Sequence, residues 1–226
     1  MNQLISNFFN WAILQQAFPI LLSGFKYSIM VAVLTIVGGI GFGLLLTIIR
    51  CLEYRLLNAV IALYIDIFRT LPQLVVLVLI YFGLPYAGLT PSPLATVVVG
   101  LAAILSAFAS EIFWSAIKAL PKGQWDAAYA LGFGYFRTLF DIVLPQAVRL
   151  AVPLLTNRAI AVSKGAALGT AVALPETLGQ AESLIGTLAN ASPLTLAAGF
   201  YLLLFVPLVI LSRWLEHRYG AAQRGR

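Results

Sequence analysis

Apolar residues in this chain come in blocks, not in the short alternations of a water-soluble fold. Tyr27 to Ile49 carries no charge, and from Thr70 to Ser110 the chain is again uncharged. A membrane-crossing helix needs roughly 20 predominantly apolar residues, so the first block predicts a span at about 21–49. The second is too long for one crossing. Gly83, Pro85, Gly88, Pro91 and Pro93 interrupt it, and such a cluster breaks a helix. Spans are therefore predicted at about 56–81 and 94–117, followed by 150–174 and 194–211. The expected fold is an all-α integral membrane protein of five transmembrane helices forming a single domain over 1–226.

Composition supports lipid as the solvent. Of 226 residues, 61% are hydrophobic and only 10% charged, with mean hydropathy +0.96, against about 25% charged in soluble domains. The net charge of +6 reflects topology and not nucleic-acid binding. Ten Lys and Arg fall in the 50–55 connection, the 118–149 loop and the C-terminal tail, and none in the opposite connections. Basic residues accumulate on the cytoplasmic side, which predicts an outside N-terminus and a cytoplasmic C-terminus. The N-terminus lacks a basic region before its apolar run, so it reads as retained. Trp11 and Phe8–Phe9 read as an interfacial segment ahead of the first span. A single cysteine, Cys51, and a single histidine, His217, leave no disulfide framework, and no metal site is expected.

The 118–149 connection has its own pattern. Gln124 to Leu131 contains good helix formers, with Asp126 expected in the first turn, where negative charge suits the helix dipole. Ala127, Ala128 and Leu131 are expected to form a small apolar face, and Gly132 to end the helix. Such a helix suits a groove on another protein. Asp126-Ala127-Ala128, Gly132 and Leu144-Pro145 together resemble the cytoplasmic Glu-Ala-Ala loop of ABC importer permeases, with Asp in place of the usual Glu. The resemblance implies a coupling helix that docks on a separate ATPase subunit.

A second set of motifs narrows the family. Tyr64-Ile-Asp-Ile-Phe-Arg69-Thr-Leu-Pro72 and Ile80-Tyr-Phe-Gly-Leu-Pro85 resemble the second span of polar amino-acid permeases. Lys122-Gly-Gln, Leu-Pro-Gln-Ala, Pro153, Asn157 and Lys164 fit the same group. Over about 20–215 the resemblance implies the permease subunit of an ATP-driven bacterial importer for polar amino acids or close derivatives, in the cytoplasmic (inner) membrane. Its implied partners are a second permease chain, identical or homologous, an ABC ATPase that binds ATP and magnesium, an external solute-binding protein, periplasmic or lipid-anchored, and membrane lipid. This chain departs from the family in Arg-Thr-Leu-Pro for Arg-Gly-Thr-Pro and in Lys164-Gly-Ala-Ala-Leu168.

Ionisable residues within spans cost roughly 3 kcal/mol each at mid-depth and mark interior faces or water. Asp66 and Arg69 lie three apart on one helical face and can pair locally. They serve either as a structural ion pair or as substrate ligands. Asn157, Lys164 and Leu168 follow a three-to-four spacing and are expected to share a face. Lys164 should lie about 20 Å into its span. A carboxylate on one helix and an ammonium on another can hold a zwitterion. The resemblance assigns Lys164 and Leu168 to the substrate site, with Asp66 and Asn157 as further candidates. Arg158 reads as structural or as facing another subunit, and Glu111 as a brace for the loop. Gly38-Gly39-Ile-Gly41-Phe-Gly43 permits close helix approach. No Gly-x-x-x-x-Gly-Lys-Ser/Thr occurs, so no nucleotide site or catalytic residue is expected in this chain. A stand-alone secondary transporter or channel is the alternative; five spans without an internal repeat fit it poorly.

Overall fold

The computed structural model describes residues 2–220, and all its regular elements are helical. A short helix α1 (Asn2–Phe8) precedes α2 (Trp11–Arg50), whose N-terminus is capped by the Asn10 side chain accepting from the Ile13 N–H. Then come α3 (Arg55–Thr70), α4 (Gln73–Val78), α5 (Pro93–Ala119), α6 (Lys122–Ala130) and α7 (Tyr135–Thr138). The chain closes with α8 (Leu144–Ser163), α9 (Thr177–Leu188) and α10 (Ser192–Gly220). A π-helical turn, Leu139–Val143, joins α7 to α8, and a 3-10 segment, Lys164–Val172, continues α8. Four stretches are long and apolar enough to cross a membrane, Gln3–Arg50, Pro93–Ala119, Tyr135–Val172 and Ser192–Tyr219, and the bent α3–α4 pair makes a fifth.

Helix α5 is the axis of the bundle. Its buried residues Val97, Leu101, Ile104 and Leu105 share one core cluster with Val31, Leu77 and Val162. A second cluster around Phe113 and Ile117 gathers Leu139, Val143, Ala147 and Ala151 from the segment leading into α8. The glycine run of α2 faces α5 inside the chain: a Cβ on Gly39 would sit 2.7 Å from the Leu105 Cβ, and one on Gly43 would sit 2.6 Å from the Ala109 Cβ and 2.8 Å from the Ser106 carbonyl oxygen. Gly38 and Gly41 lie on the roomier side, where Gly41 meets nothing. Below Gly43, the Thr47 hydroxyl stands 2.9 Å from the Gly43 carbonyl oxygen and 3.2 Å from that of Ser110. Gly43→Val therefore forces α2 off α5, against backbone that cannot yield. The expected loss is about 1–3 kcal/mol, read as a lower melting temperature of the purified protein; an unchanged value would contradict this packing.

The span boundaries differ from those read in the sequence. The first long helix, α2, begins at Trp11, ten residues before the expected 21, because the uncharged residues ahead of Lys26 continue its helical hydrogen bonding. Trp11 thus opens a 40-residue helix and does not precede it, while Phe8 ends α1. The second span is broken: after Thr70 the chain turns at Leu71-Pro72, and Gln73–Ala87 leaves at 111° to α3. Pro72 has no N–H to continue the α3 ladder. The fourth span starts at Tyr135, not near 150, since Asp141 and Arg149 lie exposed on its surface. The 118–149 connection outside the long helices therefore shrinks to about 120–134.

Candidate functional site

The connection between α5 and Tyr135–Val172 is a mounted helix. α6 begins at Lys122, so Asp126 lies past its first turn. Gly132, at φ +82°, ends it: the Phe133 N–H donates to the Ala128 carbonyl (3.0 Å) and the Gly132 N–H to the Tyr129 carbonyl (2.9 Å), the double bond of a glycine-terminated helix. The expected face of Ala127, Ala128 and Leu131 is split. Ala128 is 1% exposed, Ala127 is exposed, and Leu131 is 77% exposed. Adjacent helical residues diverge by about 100°, which parts Ala127 from Ala128, and Leu131 stands at the C-cap, past the last helical residue Ala130. The inner side is held by Trp125 stacked on Tyr135 (centroids 5.6 Å apart) and by the Gln146 amide donating to Gln124 (3.1 Å). The Tyr135 hydroxyl donates to the Cys51 carbonyl at the end of α2 (2.6 Å). Burial pushes the Cys51 thiol up to about 11, with Arg50 pulling the other way, so it stays protonated beneath this mount. Outward lie Asp126, Ala127, Tyr129, Leu131, Gly132 and Phe136; Leu144 is half-buried and Pro145 exposed.

The in-span candidates are sorted differently from their spacing. Lys164 opens the 3-10 segment with its side chain exposed, its ammonium 5.9 Å from the Phe205 ring centroid. At its neighbour Gly165, an added Cβ would lie 2.2 Å from the Gln73 Oε1. The break in α3–α4 and the change of pitch after α8 therefore meet, and Gln73 joins the candidates. Leu168 packs against the central cluster. The 3-10 pitch brings residues i and i+3 into line, so Lys164 lines up with Ala167, and the expected shared face with Leu168 does not continue past Ser163. Asn157 is engaged elsewhere: its amide nitrogen donates to Glu216, and its oxygen accepts from the Ser212 hydroxyl at 3.0 Å. That places it level with the last turns of α10. Asp66 is exposed and makes no ion pair among the described residues.

Arg69 does not pair with Asp66. It reaches Glu111 at 3.7 Å, and Arg50 holds the other oxygen of that carboxylate at 2.6 Å. Glu111 thus ties α2 and α3 to α5. Arg50 and Lys118 also lie over the Trp114 ring, at 4.6 and 4.8 Å. Arg158 sits 4.0 Å from the Phe108 centroid.

Sequence reasoning missed Glu176. It is fully buried and caps α9, accepting from the Gly179 N–H at 2.8 Å, from Ser28 at 3.2 Å and from Tyr201 at 2.5 Å. Between the expected spans 150–174 and 194–211, this carboxylate looked like loop. Glu is not among the residues favoured at a helix N-cap, so the sequence carried no signal for this role.

Comparison with known proteins agrees with this architecture. Residues 39–221 match the family described as binding-protein-dependent transport system inner membrane component. A probable amino-acid ABC transporter permease protein, YckA of Bacillus subtilis (strain 168), is 34% identical over 178 residues, 79% of each chain. A probable glutamine ABC transporter permease protein, GlnP of the same organism, is 34% identical over 208 residues, 90% of this chain and 95% of its own. Among solved structures, an amino acid ABC transporter crystallised with histidines superposes with a TM-score of 0.84 at 25% identity, covering 92% of this chain and 98% of that one. The MetNI methionine ABC transporter shares the fold, with a TM-score of 0.59 at 22% identity over 95% of this chain and 98% of its own.

Proposed function

The chain belongs to the family of binding-protein-dependent transport system inner membrane components, and from that premise we propose that it forms the translocation pathway of a bacterial importer for polar amino acids or close derivatives. Amino-acid permeases among its relatives support the substrate class. The bundle end that carries Arg50, α6 and the tail of α10 is the cytoplasmic end, by its excess of Lys and Arg. There the outward side of α6, with Asp126, Ala127, Leu131 and Gly132, docks on a separate ATPase that holds ATP and magnesium. Closure of the ATPases draws the docked helices together and turns the cavity outward. A solute-binding protein delivers substrate at the other end, and a second permease chain completes the pathway.

The observation that carries the substrate reading is Lys164: an exposed ammonium where α8 changes pitch, set against the break between α3 and α4. Backbone irregularity at membrane depth is tolerated where it lines protein or a water-filled cavity, and a cation there suits a carboxylate. Lys164→Ala in the complete transporter should cut substrate-stimulated ATPase activity about tenfold, leaving assembly and basal hydrolysis intact. An unchanged dependence on added amino acid would remove Lys164 from the pathway. Uptake by the purified chain alone, without ATP, would overturn the importer reading itself.

A further inference from the structure

Two guanidinium groups from different helices converge on one ring. Arg69 of α3 lies 5.4 Å and Arg158 of α8 lies 4.0 Å from the Phe108 centroid on α5. Their charge is not balanced. Arg158 has no carboxylate partner among the described residues, and Arg69 makes only the 3.7 Å contact with a Glu111 that Arg50 holds at 2.6 Å. Both side chains are exposed. A charge kept at this depth without a partner is costly unless it faces water or a ligand. Arg158 also lies six residues, about 9 Å, from Lys164 along the Tyr135–Val172 span, towards the end where Asn157 meets Ser212 and Glu216.

We propose that Arg69 and Arg158, converging over Phe108, form a second carboxylate-binding station between Lys164 and the cytoplasm. This rests on the amino-acid reading above and adds a residence point to it. A substrate released from Lys164 meets its next cations one to two turns further on. Guanidinium is suited to the role because its planar fork matches a carboxylate and it stacks on an aromatic face. The excess positive charge also disfavours cationic side chains along the exit, so neutral and acidic amino acids are the expected cargo.

The test uses the complete transporter in neutral phosphatidylcholine nanodiscs, labelled with the arginine reagent phenylglyoxal and read by mass spectrometry. The probe is an equimolar mixture of the twenty L-amino acids at millimolar concentration. Arg69 and Arg158 should be protected severalfold by the mixture, while Arg137, exposed on α7 and paired with Asp141, should not. In proteoliposomes, Arg158→Gln should lower uptake of the carbon-14-labelled mixture per ATP hydrolysed about tenfold, and Arg158→Lys, which keeps the charge but loses the fork and the stacking, should recover only part of that loss. Equal labelling with and without the mixture would overturn the station, even should the glutamine variant fail to assemble. So would protection by phosphatidylglycerol alone, which would assign the cations to lipid headgroups. If instead wild-type proteoliposomes take up none of the mixture, the amino-acid reading fails and the station fails with it.

Discussion

Glu176→Ala should destabilise the protein by roughly 2–5 kcal/mol, the sum of leaving several buried donors without a partner. The carboxylate is fully buried and accepts from the Gly179 N–H of α9, from Ser28 of α2 and from Tyr201 of α10. Alanine leaves the Gly179 N–H and the Tyr201 hydroxyl without the acceptor that the carboxylate supplies. Packing around the gap cannot close it cheaply, since a Cβ on Gly24 would already lie 2.9 Å from the Glu176 carbonyl. Glu176→Gln keeps the size and one acceptor oxygen, so it should lose less than half as much. The measurement is thermal unfolding of the purified protein, with proteolysis between α9 and α10 as a local readout. Alanine and glutamine variants of wild-type stability would show that this carboxylate does not hold α9.

Leu131→Glu should abolish ATP-dependent uptake, by about a hundredfold, without disturbing the fold of the chain. Leu131 is 77% exposed at the C-terminal end of α6, beside the left-handed Gly132. On the docking proposed above, a carboxylate at this position would be buried unpaired against the ATPase, a penalty of several kcal/mol. Co-purification of the ATPase gives the first readout and uptake the second. Ala128 is the wrong residue for this test: it is 1% exposed, and a large side chain there would push α6 off Trp125 and Tyr135. Retained ATPase and full uptake in Leu131→Glu would move the docking surface elsewhere.

The element types were legible because lipid imposes a simple rule: an uncharged run of sufficient length becomes helix. The ends were less legible. Trp11 to Lys26 and Tyr135 to Arg149 are amphipathic or charged at intervals, so hydropathy ended the spans early although the helical hydrogen bonds continue. Gly132 could be read as a helix stop, because only a residue free of a Cβ adopts that backbone without strain. The sorting of Ala127, Ala128 and Leu131 between partner and core could not, as it depends on where Trp125 and Tyr135 pack. Likewise the 3-10 pitch after Ser163, which parts Lys164 from Leu168, leaves no mark in residue spacing.

Composition and order along the chain determine that this protein lives in lipid, crosses it with helices, and carries a short loop helix between its third and fourth crossings. These follow from local chemistry: the free energy of apolar side chains, the missing N–H of Pro72, the freedom of Gly132. Tertiary structure alone decides who pairs with whom. Arg69 prefers Glu111 to its near neighbour Asp66, Asn157 of α8 bonds to α10, and Glu176 joins three helices from what looked like a loop. Charge–charge and hydrogen-bond energies fall off over a few ångströms, so they are settled by distances between helices that no spacing within one helix records.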